Sequence, residues 1–146
     1  MRGVVMLAVF ASSALFGWAQ EEPQYKPGEN PYQDEFVLKL GEPIALYVEI
    51  DGTRFAELTI TPQGNVEPGK NVKCQVVMTG ARVASGRVEV LPVLLLEDQN
   101  GKSLDRLTPA PFKVRGERPF EYKDTITASG DSLAAATKVW VYLEIR

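Results

Sequence analysis

The chain of 146 residues contains no histidine and one cysteine, Cys74. The first absence removes every histidine-dependent metal site, catalytic triad and proton shuttle. The second removes a disulfide framework. Neither sign of charge dominates: 16 Lys and Arg stand against 19 Asp and Glu, a formal net charge of −3. So mild an acidic balance, with the signs mixed, carries no electrostatic footprint for a nucleic-acid partner. There is no glycine-rich phosphate cradle, no internal repeat and no low-complexity tract.

The longest apolar stretch lies at the N-terminus and reads as a secretory signal. Arg2 gives the positive start, Val4 to Phe16 is apolar apart from Ser12 and Ser13, and Gly17-Trp18-Ala19 places small residues at the −3 and −1 positions. Cleavage is expected before Gln20. The run is short for a membrane span of about 20 residues, so residues 1–19 are expected to be removed and the mature chain to hold no transmembrane span. It would carry 15 basic and 19 acidic residues, net −4. The expected location is periplasmic or secreted. In that oxidising compartment Cys74 reads as a buried, inert thiol, since it shares a strand face with Val72, Val76 and Met78.

Residues 20–34 are polar, hold Pro23, Pro27 and Pro31, and show no apolar period. They read as an extended or disordered leader. From Glu35 to the end, short alternating runs are broken by Gly, Pro, Asn and Asp, the pattern of an all-β domain. The runs are Phe36/Leu38/Leu40, Ile44/Leu46/Val48, Ala56/Leu58/Ile60, Val72/Cys74/Val76/Met78, Phe112/Val114, Phe120/Tyr122/Asp124/Ile126 and Val139/Val141/Leu143/Ile145. Val88 to Leu96 is almost continuously apolar, which predicts a strand covered on both faces. Pro92 inside it predicts a bulge or a local edge. A single turn around Leu133 to Ala136, capped by Asp131 or Ser132, is too short to stand alone and predicts a crossing between sheets.

Two hairpins can be registered from their turns. A three-residue Ile50-Asp51-Gly52 loop pairs Leu46 with Ala56 and Ile44 with Leu58, and sets Tyr47 against Phe55 on the opposite face. A two-residue loop would bring Glu57 onto the face that Leu46 buries, at a cost of several kcal/mol for an unpaired charge. By the same logic a Gln99-Asn100-Gly101 loop pairs Asp98 with Lys102 and Leu96 with Leu104.

Val66-Glu67-Pro68-Gly69-Lys70-Asn71-Val72-Lys73-Cys74-Gln75-Val76 resembles the opening strand of immunoglobulin-like modules in exported bacterial proteins. Leu94 to Leu104, LLLEDQNGKSL, resembles their strand-turn-strand. The likeness is to the fibronectin type III-like and CARDB-like domains. It implies an immunoglobulin-like antiparallel β-sandwich of seven to eight strands over residues 35–146. The chain departs from antibody-type domains: Cys74 has no second cysteine, and Trp140 lies on the last strand. The resemblance implies no particular ligand.

No catalytic, cofactor or metal residue emerges. Asp98-x-Asn100-x-Lys102 copies the start of a calcium loop, but Lys102 and then Pro109 stand where ligands belong. Lys113, Arg115 and Arg118 read as a solvated basic cluster or a single anion contact. Aromatic residues are the candidates that remain. If Val139, Val141, Leu143 and Ile145 face the core, Trp140 and Tyr142 lie outside, and Phe120 and Tyr122 share one face of a run expected to be its neighbour. These four make a candidate binding surface. The expected function is a non-enzymatic binding or assembly module whose partner is another exported protein or an envelope complex. The alternatives are a carbohydrate-binding domain using the aromatic stripe, and a small hydrolase using a carboxylate pair.

Overall fold

The computed structural model describes residues 23–146, so the expected signal segment lies outside the described residues. They form ten strands and one short helix: β1 Lys26–Pro27, β2 Tyr32–Val37, β3 Ile44–Ile50, β4 Thr53–Pro62, β5 Asn71–Arg82, β6 Arg87–Glu97, β7 Ser103–Leu107, β8 Phe112–Arg115, β9 Arg118–Ser129, α1 Gly130–Ala135 and β10 Lys138–Ile145. The first sheet has the order β1-β3-β4-β5-β9. The second has β2-β10-β6-β7, with β8 also on β6. All pairings are antiparallel except β1 with β3. The fold is all-β, and both sheets turn their apolar faces onto one core.

Alternation places that core. Cys74, Val76 and Met78 of β5, Leu94 and Leu96 of β6, and Val139, Val141 and Leu143 of β10 are fully buried. Burial also pushes the Cys74 thiol pKa up, as its place among aliphatic side chains requires. The single helical turn links β9 of the first sheet to β10 of the second, with Leu133 buried beneath it. Its cap is Ser129, whose Oγ accepts from the Ser132 N–H at 3.4 Å. Asp131, expected to cap, faces the Gly69 N–H instead.

The hairpins correct the turn-based registers. Ile50 pairs directly with Thr53, so the β3–β4 turn is the two-residue Asp51-Gly52, both at positive φ (47° and 76°). Ile44 still meets Leu58, because Leu46 and Tyr47 together oppose Ala56. The bulge therefore lies inside the strand, where Tyr47 takes φ 41°. A second irregularity at Ala56 switches the phase of β4, so Phe55 is fully buried rather than facing outward opposite Tyr47. Gly80 on β5 makes room there, since a Cβ would lie 2.7 Å from the Phe120 ring, which packs edge-on against Phe55. In the other hairpin the three-residue loop is present: Asp98 N–H donates to Lys102 C=O at 3.0 Å. One residue on, a bulge at Leu104 pairs Leu96 with Asp105 rather than with Leu104.

Two further features differ from the sequence reading or sharpen it. Of the 20–34 segment, the described residues 23–34 are tied into the fold: Lys26 pairs with Val48, and β2 starts at Tyr32 against Leu143. Backbone pairing asks nothing of side-chain periodicity, so a polar segment gave no sign of it. Pro92 lies where β6 changes neighbours: β8 pairs with Arg87 to Val90, β7 with Leu94 to Glu97, and residues 91–93 have no partner on that side. The missing N–H of Pro92 costs no ladder bond at this gap, which is a local edge within a central strand.

Candidate binding face

The structure separates the four aromatic candidates. Phe120 and Tyr122 lie on β9 of the first sheet and Trp140 and Tyr142 on β10 of the second, so β9 and β10 are not neighbours. Phe120 and Tyr122 turn inward. Tyr122 stacks on Phe112 of β8 with centroids 4.0 Å apart, and Phe120 leans on Phe112 and Phe55. They close one margin of the core and form no common surface with Trp140.

Trp140 and Tyr142 lie on the outer face of the second sheet, in rows fixed by register. One row runs Arg106–Leu95–Trp140–Glu35 across four strands. The next holds Val93–Tyr142–Gln33, and beyond it Leu91 opposes Glu144. At the other end the row is Glu97–Lys138–Val37. Between these rows is a shallow trough of about 410 Å³ lined by Gln33, Leu91, Val93, Leu95, Arg106, Trp140, Tyr142 and Glu144. The continuous apolar run of β6 thus has one face in the core, while Leu91, Val93 and Leu95 line an open surface. All three are half-buried there. Sequence reasoning missed these three as surface residues, although the run itself was the signal.

The rim is polar and partly uncommitted. The Arg106 guanidinium and the Gln33 amide have no partner among the described residues, and neither has the Trp140 indole N–H. Glu144 is committed: it accepts from Tyr142 Oη at 3.1 Å and Arg146 Nε at 3.0 Å. Those two bonds lower its pKa, the Arg146 bond foremost.

The end row contains a strained carboxylate. Glu97 is 8 % exposed, and its Oε1 has no hydrogen-bond partner among the described residues. Its pKa is raised, first by burial, then by the hydrogen bond and charge of Glu35, with Lys138 pulling the other way. Lys138 Nζ lies 3.7 Å from Glu35 Oε1. Glu35 and Glu97 are therefore a carboxylate pair, and neither lines the trough. The basic residues Lys113, Arg115 and Arg118 are exposed elsewhere, on β8 and at the start of β9.

The open strand edges are guarded. Asp34 on β2, Asp105 on β7 and Asp124 on β9 each occupy a core-facing position on an edge strand. Each accepts the backbone N–H of the following residue, Glu35 at 2.8 Å, Arg106 at 2.8 Å and Thr125 at 2.9 Å. Tyr32 and Tyr122 donate to Asp34 and Asp124 at 3.2 and 3.3 Å, one Tyr-x-Asp device on two edges. Burial, then the aspartate's charge and hydrogen bond, push both phenols up to about 12. Inward charges and engaged N–H groups leave these edges poor templates for an added strand.

No protein-family model matches the chain, and no curated protein matches it.

Proposed function

We propose that the protein is an exported, non-enzymatic binding or assembly module with an immunoglobulin-like sandwich fold, and that the outer face of β2, β10, β6 and β7 docks another protein of the cell envelope. The observation that carries this reading is the uncovered apolar patch of Leu91, Val93, Leu95, Trp140 and Tyr142, rimmed by Gln33, Arg106 and Glu144. An apolar centre with aromatic anchors and a polar rim is the anatomy of a protein interface. The guarded edges favour docking on a face over strand addition. A carbohydrate ligand is the second reading, supported by the unpartnered Gln33 amide and Arg106 guanidinium beside Trp140. Three aliphatic side chains next to the indole favour protein.

The test is a photo-crosslinking amino acid in place of Val93, in cells that make the protein, with Thr125 on the other sheet as control. The expected result is a discrete protein adduct from position 93 and none from 125. Absence of any protein adduct from 93, or glycan adducts alone, overturns the reading.

A further inference from the structure

The trough face is complementary to itself, and we infer that its occupant is a second copy of this chain. This rests on the reading of the face as a protein-docking surface. The argument comes from the rows. A two-fold axis parallel to the strands and midway between β6 and β10 lays each row on its own reverse in the second copy. Leu95 then covers Trp140 of the second copy, and Val93 covers Tyr142. In the end row Glu97 lies opposite Lys138 of the second copy, but its carboxylate is buried within its own chain and takes no part in the contact. In the longest row Arg106 and Glu35 sit at opposite ends, one flanking Leu95 and the other flanking Trp140. The axis brings Arg106 onto Glu35 of the second copy, and the same pair forms again on the other side. Both are exposed; the Arg106 guanidinium has no partner among the described residues, and Glu35 lies 3.7 Å from Lys138 of its own chain.

Apolar therefore meets apolar in the two central rows, and opposite charges meet at Arg106/Glu35. The last row is indifferent, since Leu91 meets a Glu144 already held by Arg146. An isologous contact of this kind closes on itself and leaves no exposed repeat of the patch. Sheets pack face to face with strands within about 30° of parallel, which this axis satisfies. The row positions, each about 4.8 by 6.8 Å, give a flat footprint of roughly 400 Å² per copy. Standard interfaces bury about 800 Å² per partner, so the dimer is a weak one.

The experiment is sedimentation equilibrium of the purified protein from about 5 to 500 μM, spanning the affinities expected of such an interface. The wild type is expected to pass from monomer to dimer. Arg106→Glu and Glu35→Arg each place like charges across the axis and should weaken association at least tenfold. Thermal melting checks that both variants are folded. Mixed in equal amounts, the two variants should associate with each other, because one chain then carries a carboxylate at both positions and the other a guanidinium at both. The double variant should self-associate again. A wild type that stays monomeric throughout, or single variants that associate as well as it does, overturns the inference. The Val93 cross-link tells this failure from failure of the docking reading. An adduct to a different protein, with a monomeric wild type, leaves the docking reading standing and removes the second copy. No protein adduct removes both.

Discussion

Glu97 and Arg82 are the two described residues where a charged group is nearly closed off from solvent, and they are handled in opposite ways. Arg82, 7 % exposed, has every nitrogen occupied by neutral acceptors. Its Nε donates to Gly86 C=O, one terminal nitrogen to Asp51 C=O and Thr53 Oγ1, and the other to Ser85 C=O, at 2.9 to 3.1 Å. It ties the β3–β4 turn to the β5–β6 turn. Arg82→Ala should cost about 3 kcal/mol, because it leaves several carbonyls short of a donor. Arg82→Lys should recover part of that, and chemical denaturation measures both. Glu97 instead has an oxygen with no partner among the described residues, and its raised pKa means that the folded state holds the proton more tightly than the unfolded chain does. Its contribution is complete below the ordinary carboxylate range and is lost as pH rises through the shifted value. Glu97→Gln, which stays neutral, should match the wild type in acid and exceed its melting temperature increasingly toward neutral pH. A gap that does not change with pH would contradict this. Neither residue stood out in the sequence, where a lone charge at a strand end looks like any solvated one.

The strands were largely legible and their joints were not. Period-2 alternation identified the inward faces of β5 and β10 because one side of each meets the core. It failed at Phe55, where the irregularity at Ala56 moves the inward set by one residue with no mark in the sequence except a neighbouring Gly80. The Asp51-Gly52 pair was recognised as a turn, but its length was argued from Glu57. The chain avoids that clash through the bulge at Tyr47 instead. The polar N-terminal stretch is the largest difference. Asn30 exchanges hydrogen bonds with the backbone of Ile145, receiving its N–H at 2.9 Å and donating to its C=O at 2.8 Å, and also reaches Asp51. This side chain acts as one more rung beside β10. Removing residues 23–34 deletes β1, half of β2 and that clasp. It should lower the melting temperature by more than about 10 °C, equivalent to a loss of a few kcal/mol in a domain of this size. A change of only a few degrees would show that the pairing contributes little.

At the scale of the whole molecule, the two outer faces and the edges differ in what they offer. The edges of β2, β7 and β9 are closed by aspartates. One outer face is apolar along β6 and β10, and the candidate site is that face. Half of it was visible beforehand, in the outward phase of Trp140 and Tyr142. The aliphatic half was hidden because an unbroken apolar run is read as buried on both sides. Phe120 and Tyr122 were misplaced for a topological reason: sequence order suggested adjacency to β10, but the single turn of α1 carries the chain across to the other sheet.

The position of Trp140 also determines what light can report about this protein. Among the described residues it is the single indole, and it sits in the trough, not among the core rings of Phe55, Phe112, Phe120 and Tyr122. Its emission colour follows whatever covers the face and is nearly blind to loosening of the interior. The near-ultraviolet dichroism of the buried rings has the reverse sensitivity. A titration that moves one signal and leaves the other still separates occupancy of the surface from melting of the fold, with no label attached to the chain.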